Sequence, residues 1–193
     1  LGDAGIYDLL LHRRDRAYSV PELVGLLQQG GMRPVNFIDP ARYEPSIYLA
    51  DRDLIEKCRP MNWLQRCAFA ELLAGNMKTH ILYAVRDDNG NNTLAVPDTP
   101  DAIPVMRDDD GLTLAAQVKP GMSLNIDMEG VKLSLPLPEQ AAAILAQIDG
   151  KKSLSDIHAA LDSTPDADAF KQQFDQLYSS FYGISRMFLR KPA

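Results

Sequence analysis

Leu124-Asn125-Ile126-Asp127-Met128-Glu129-Gly130-Val131-Lys132-Leu133-Ser134-Leu135 is the stretch whose reading decides the fold. Apolar residues recur at every second position on either side of Glu129-Gly130. Alternation interrupted by a two-residue turn predicts a β-hairpin. Three helical segments are expected after it, at 139–148, 153–161 and 166–182. Asp149-Gly150 separates the first from the second, and Ser153 with Asp156 supplies a capping box for the second. Ile184, Met187 and Leu189 then predict a short final strand. A hairpin, a helix–turn–helix, a longer helix and a strand follow the order of a small winged-helix-like domain, expected over 121–193.

Upstream, Val96-Pro97-Asp98-Thr99-Pro100-Asp101-Ala102-Ile103-Pro104 places three prolines close together and is followed by Asp108-Asp109-Asp110. Proline removes backbone donors, so a Pro/Asp-rich linker is expected over 97–120. The chain before it reads as a helix-rich α/β region, 1–96. There Ser19, Pro21 and Glu22 form a helix start with a capping box, Leu23, Val24, Leu26 and Leu27 an apolar stripe, and Gly30-Gly31 a stop. A short strand around Val35 and Phe37 should follow, then helices at 46–58 and 62–74, the second closed by Gly75. Residues 77–85 alternate as a half-buried strand, with 93–96 as its short returning partner. The fold class expected is α+β, helix-rich with a few short strands.

The 193 residues are 46% hydrophobic and 24% charged, a globular composition. The net charge of −6 is concentrated after residue 86, where nine Lys/Arg meet sixteen Asp/Glu. Such a surface does not attract phosphate backbones or anionic lipid, and the last helix carries Asp166, Asp168 and Asp175 against Lys171. No nucleic-acid or membrane partner is therefore expected, nor does any uncharged run approach the roughly 20 apolar residues of a membrane span. The two cysteines, Cys58 and Cys67, are too few and too close for a disulfide framework, which suggests a reducing, cytoplasmic setting. The opening Leu1-Gly2-Asp3-Ala4-Gly5 runs without Met into the apolar helical segment 6–12, as expected of a piece of a longer polypeptide.

Catalytic signatures are weak. Gly150-Lys151-Lys152-Ser153 resembles a P-loop ending, but Leu145 stands where the loop needs glycine. Gly30-Gly31 follows a helix and precedes a strand, the reverse of a dinucleotide turn. His12, His80 and His158 are scattered, and neither H-E-x-x-H nor C-x-x-C occurs. Asp87 to Asn92 has calcium-loop composition with glycine at the wrong position. Cys67 sits on an apolar stripe as a structural thiol, whereas Cys58 lies beside Lys57 and Arg59. No catalytic, cofactor-binding or metal-ligating residue is assigned. One segment is denser in function-bearing side chains: His12, Arg13, Arg14, Asp15, Arg16 and Tyr18, between two helical patterns. It reads either as a partner-binding edge, since Arg and Tyr are favoured at interface hot spots, or as a solvated loop with weak ion pairs.

Ile6-Tyr7-Asp8-Leu9-Leu10-Leu11-His12-Arg13-Arg14-Asp15-Arg16-Ala17-Tyr18-Ser19-Val20-Pro21-Glu22-Leu23 resembles the region that follows the catalytic core in a group of bacterial class I S-adenosylmethionine-dependent methyltransferases. Phe69-Ala70-Glu71-Leu72-Leu73-Ala74-Gly75-Asn76-Met77-Lys78-Thr79-His80 resembles a second stretch of the same group. Ile148-Asp149-Gly150-Lys151-Lys152-Ser153-Leu154-Ser155-Asp156-Ile157 resembles its C-terminal segment. The chain is thus similar to the predicted methyltransferase regulatory domain. The family's glycine-rich cofactor loop and downstream acidic residue have no counterpart here. The resemblance therefore implies an accessory or regulatory region, with S-adenosylmethionine held by the parent enzyme and not by this chain. Its implied partners are the catalytic methyltransferase domain in cis and a protein substrate. A free-standing protein- or ligand-binding module is the alternative.

Overall fold

Val20 heads the first helix because Ser19 and Pro21 start it and Glu22 turns back to close the capping box, so α1 spans Val20–Gln29. Gly31, at φ +67°, then lets the chain reverse into β1, Met32–Phe37. The structure, a computed structural model, describes residues 16–90, 94–128, 130–162 and 166–191. Its architecture is α+β: seven α-helices and three antiparallel two-stranded sheets among the described residues.

After β1 come two 3₁₀ turns, Pro40–Tyr43 and Pro45–Ile47, then α2, Arg52–Cys58. The single helix expected over 46–58 is therefore shorter. Asp51 is the reason, since its carboxylate accepts from the Asp53 and Leu54 amides and starts the helix there. Helix α3, Trp63–Ala74, matches its expected bounds: Asn62 caps it, Gln65 closes the box, and Gly75 takes the left-handed conformation. Strand β2, Leu82–Arg86, is shorter than the alternation at 77–85 suggested and pairs with β1, not with 93–96. Residues 94–96 form no strand, and Thr93 lies outside the described residues. β1 follows the sealed α1 turn and offers the nearer edge, whereas Pro97 and the Asp98 N–H to Val96 carbonyl bond curl the other segment away.

The stretch expected as a linker carries two elements, β3 (Ile103–Met106) and α4 (Gly111–Ala115). Pro104 is tolerated because β3 is an edge strand, paired on one side only with β6, Met187–Arg190. The proline-rich segment is also stitched to the helix beyond: Leu154 N–H donates to Ala102 and Ser155 N–H to Pro100. The hairpin β4 (Ser123–Met128) and β5 (Val131–Pro136) holds the expected register, with Met128 opposite Val131. The Gly130 amide donates to Asp127 at the turn. The hairpin forms its own sheet and is not joined to β3–β6. Helices α5 (Ala141–Gln147), α6 (Leu154–Ala159) and α7 (Ala167–Gly183) close the core. Phe170, Phe174, Leu177, Tyr178 and Phe181 follow a helical repeat on α7 and bury one face against Ile144, Leu145 and Ile157. At Gly111 an added Cβ would stand 2.2 Å from the Leu145 carbonyl, so α4 approaches the end of α5 only because that residue is glycine.

Candidate functional site

Of the six residues expected to form a partner edge, His12, Arg13, Arg14 and Asp15 lie outside the described residues. Arg16 and Tyr18 are described, and the structure brings them together. The Arg16 guanidinium carbon stands 4.9 Å over the Tyr18 ring, and Arg16 reaches Glu22 at 2.6 Å. Both partners of that ion pair are exposed, so it contributes little to stability. Glu22 also accepts from the Ser19 amide and hydroxyl, each at 3.0 Å. These bonds, the Ser19 amide first and Arg16 next, hold its carboxyl below the usual range.

Beneath this edge runs a buried polar chain. The Val20 amide, an orphan donor in the first turn of α1, donates to Glu71 Oε2 on α3 at 2.8 Å. Glu71 Oε1 meets His80 Nε2 at 3.1 Å, and His80 Nδ1 meets the Tyr43 hydroxyl at 2.8 Å. With a carboxylate at Nε2, that nitrogen carries the proton, and in the neutral ring Nδ1 accepts from Tyr43. The Tyr43 ring stacks on Phe37 at 4.2 Å, and Trp63 leans on Phe37 from α3. Burial pushes the Tyr43 hydroxyl up to about 12 and the Cys67 thiol beside it up to about 12. At neutral pH Cys67 is thus a protonated, packed thiol. Cys58 is buried too, and its thiol donates to the Leu54 carbonyl at 3.3 Å.

Tyr43, Glu71 and His80 carry no sequence motif. A signal was nevertheless present: Glu71 precedes Gly75 by four residues and His80 follows it by five, so a reversal at Gly75 folds the two back on each other. The other histidine described, His158, stacks on Phe170 at 4.6 Å. Among the described residues no three His, Cys, Asp or Glu side chains gather as a metal site, and no helix is long and apolar enough to cross a membrane.

A second polar contact set joins the two halves. Asn36 Nδ2 donates to the Tyr182 hydroxyl at 2.7 Å, and the Asp39 amide donates to Ser185 Oγ at 2.8 Å. Asp39 and Ser185 both stand at φ +55°, the left-handed region that non-glycine residues seldom occupy. Two strained residues therefore hold each other across the seam, with Ser185 fully buried.

No family model matches the chain.

Proposed function

We propose that the chain is a non-catalytic accessory region of an S-adenosylmethionine-dependent methyltransferase, which docks on the catalytic domain in cis and shapes access of a protein substrate. The observation that carries this reading is the resemblance running through residues 6–23, 69–80 and 148–157. The geometry supports it at one place. Arg16 and Tyr18 are presented at the head of a helix whose first turn is fixed from below by Glu71. An exposed arginine over a half-buried tyrosine, on an anchored support, is suited to docking, because little ordering remains to be done on binding. S-adenosylmethionine belongs, on this reading, to the parent's catalytic domain, in the cytoplasm.

The tests are direct. The reading frame upstream of Leu1 should encode a glycine-rich strand–turn–helix, and its absence there overturns the proposal in favour of a free-standing binding module. In the parent enzyme, Arg16→Ala and Tyr18→Ala should each lower transfer of a labelled methyl group by about fivefold or more. The melting of the 193-residue chain should change little with Arg16→Ala, since exposed substitutions cost about 0.5 kcal/mol or less, and somewhat more with Tyr18→Ala, whose ring is half-buried. Undiminished transfer in both variants returns the edge to a solvated loop.

A further inference from the structure

We propose that the cleft at the seam between the halves binds a flat, uncharged ring compound bearing a hydrogen-bond acceptor. The proposal stands independently of the methyltransferase reading. The cleft, about 320 Å³, lies between the β1–β2 sheet and the α7–β6 corner. That volume falls within the range of small-molecule sites, which favour the junctions between structural units. Tyr83 forms one wall from β2, while Tyr178, Tyr182 and Phe188 form the other. Tyr178 and Tyr182 stack at 5.2 Å, and Phe188 meets Tyr182 edge-on at 6.4 Å. Ring faces of this kind offer an aromatic guest stacked or edge contacts on both sides.

The lining selects against charge. Among the described residues it consists of Val, Asn, Tyr, Ala, Leu and Phe, with no Asp, Glu, Lys, Arg or His. An ion placed there would lose water without gaining a counter-charge. Burial raises the pKa of both Tyr178 and Tyr182, so each phenol stays protonated and neutral. The lining also selects for an acceptor. The Tyr182 oxygen already accepts from Asn36, and among the described residues no acceptor takes the Tyr182 proton. That half-buried phenol offers its proton to a guest acceptor in exchange for water.

Two other concavities lack this combination. The groove beside Leu72 is a shallow face of α3 whose only polar side chain among the described residues is Gln65. The hollow between α6 and α7 measures about 220 Å³, and Lys171 and Asp175 flank it as an ion pair.

Titration of the full chain with quinoline at pH 7.5, followed by NMR, tests the proposal; indole, which donates but lacks a ring acceptor, and benzoate, which is charged, serve as comparators. Quinoline should shift the Tyr83, Val85 and Leu189 signals saturably with a Kd of about 1 mM, as expected for a ligand of its size. Indole should bind about threefold or more weakly, and benzoate should leave these signals in place. Tyr182→Phe, which keeps the ring, should erase the preference for quinoline over indole. Tyr83→Ala, at a side chain 58% exposed and so harmless to folding, should weaken both by about fivefold. The proposal is overturned if shifts gather instead at Phe69 and Leu72, if no saturable shift occurs, or if indole and quinoline bind alike to the unaltered chain.

Discussion

The two halves bury their interiors by different means. Around α5, α6 and α7, fifteen buried residues form one core of aliphatic and aromatic side chains, whereas the core beneath α1 counts four among the described residues. The larger half holds together by apolar area, at about 25 cal/mol per Å² removed from water. The smaller half cannot, and places a hydrogen-bonded line of Glu71, His80 and Tyr43 where a larger domain would place leucines. A buried polar line is stable only when each member is paired. The smaller half should therefore be sensitive to loss of a partner and to pH, and the larger half to loss of volume.

The largest effect expected is in the apolar core. Phe174→Ala should lower stability by about 4 kcal/mol, from lost burial and the cavity left between α5 and α7. Urea denaturation measures it, and a loss below about 2 kcal/mol would show that this core relaxes as readily as a loop. Next comes Glu71→Ala, at about 2 kcal/mol, because the Val20 amide and His80 Nε2–H both lose their acceptor. Amide exchange should then quicken at Val20 while that of α7 is unchanged. Equal acceleration in both halves would show that the smaller half is no more dependent on its polar line than the larger.

The alkaline response is a smaller effect. Folding raises the Cys67 thiol from 9.0 and the Tyr43 hydroxyl from 10.0, each to about 12, so the unfolded chain loses these protons first. Stability is thus fully present below pH 9 and falls as pH rises from 9 towards 12, by about 1 kcal/mol from Cys67 at pH 10. In Cys67→Ala the fall should begin near the tyrosine value of 10.0 instead, and an unmoved onset would assign it elsewhere. The seam gives the smallest difference. Ser185→Ala and Ser185→Gly both forfeit the bond from Asp39, but only glycine relieves the φ of +55°. The glycine variant should be the more stable of the two by about 1 kcal/mol in thermal melts.

The larger half was also the more legible. Its elements announce themselves through local chemistry: alternation around Glu129-Gly130, the break at Asp149-Gly150, and the Ser153–Asp156 box, whose reciprocal amide bonds the structure reproduces at 3.0 and 3.2 Å. Helix α3 was legible for the same reason, with Asn62 and Gly75 at its ends. The sequence misled where distant partners decide. Three prolines suggested a linker, but a proline costs an edge strand nothing when its missing N–H faces away from the partner, and β3 finds that partner eighty-odd residues later. The alternation at 77–85 overstated β2 because His80 turns inward to Tyr43 and Glu71, a choice set by groups remote in sequence. Of the expected edge, Arg16 and Tyr18 were legible as residue types. Their support by Glu71 was not, since Glu71 is 51 residues from Val20.

The pairing of Ile103 with Arg190 bears on the order of events during synthesis. Once Arg86 has left the ribosome, β1 and β2 can pair and the smaller half has its whole sheet. β3 has no such opportunity: it waits, unpaired, while six further elements and β6 are made. A contact spanning so much chain closes late and slowly. Until it does, the core around α5, α6 and α7 lacks the cover of Met187 and Leu189. A chaperone or a premature stop acting between residues 107 and 186 would therefore meet one half already folded and the other still open.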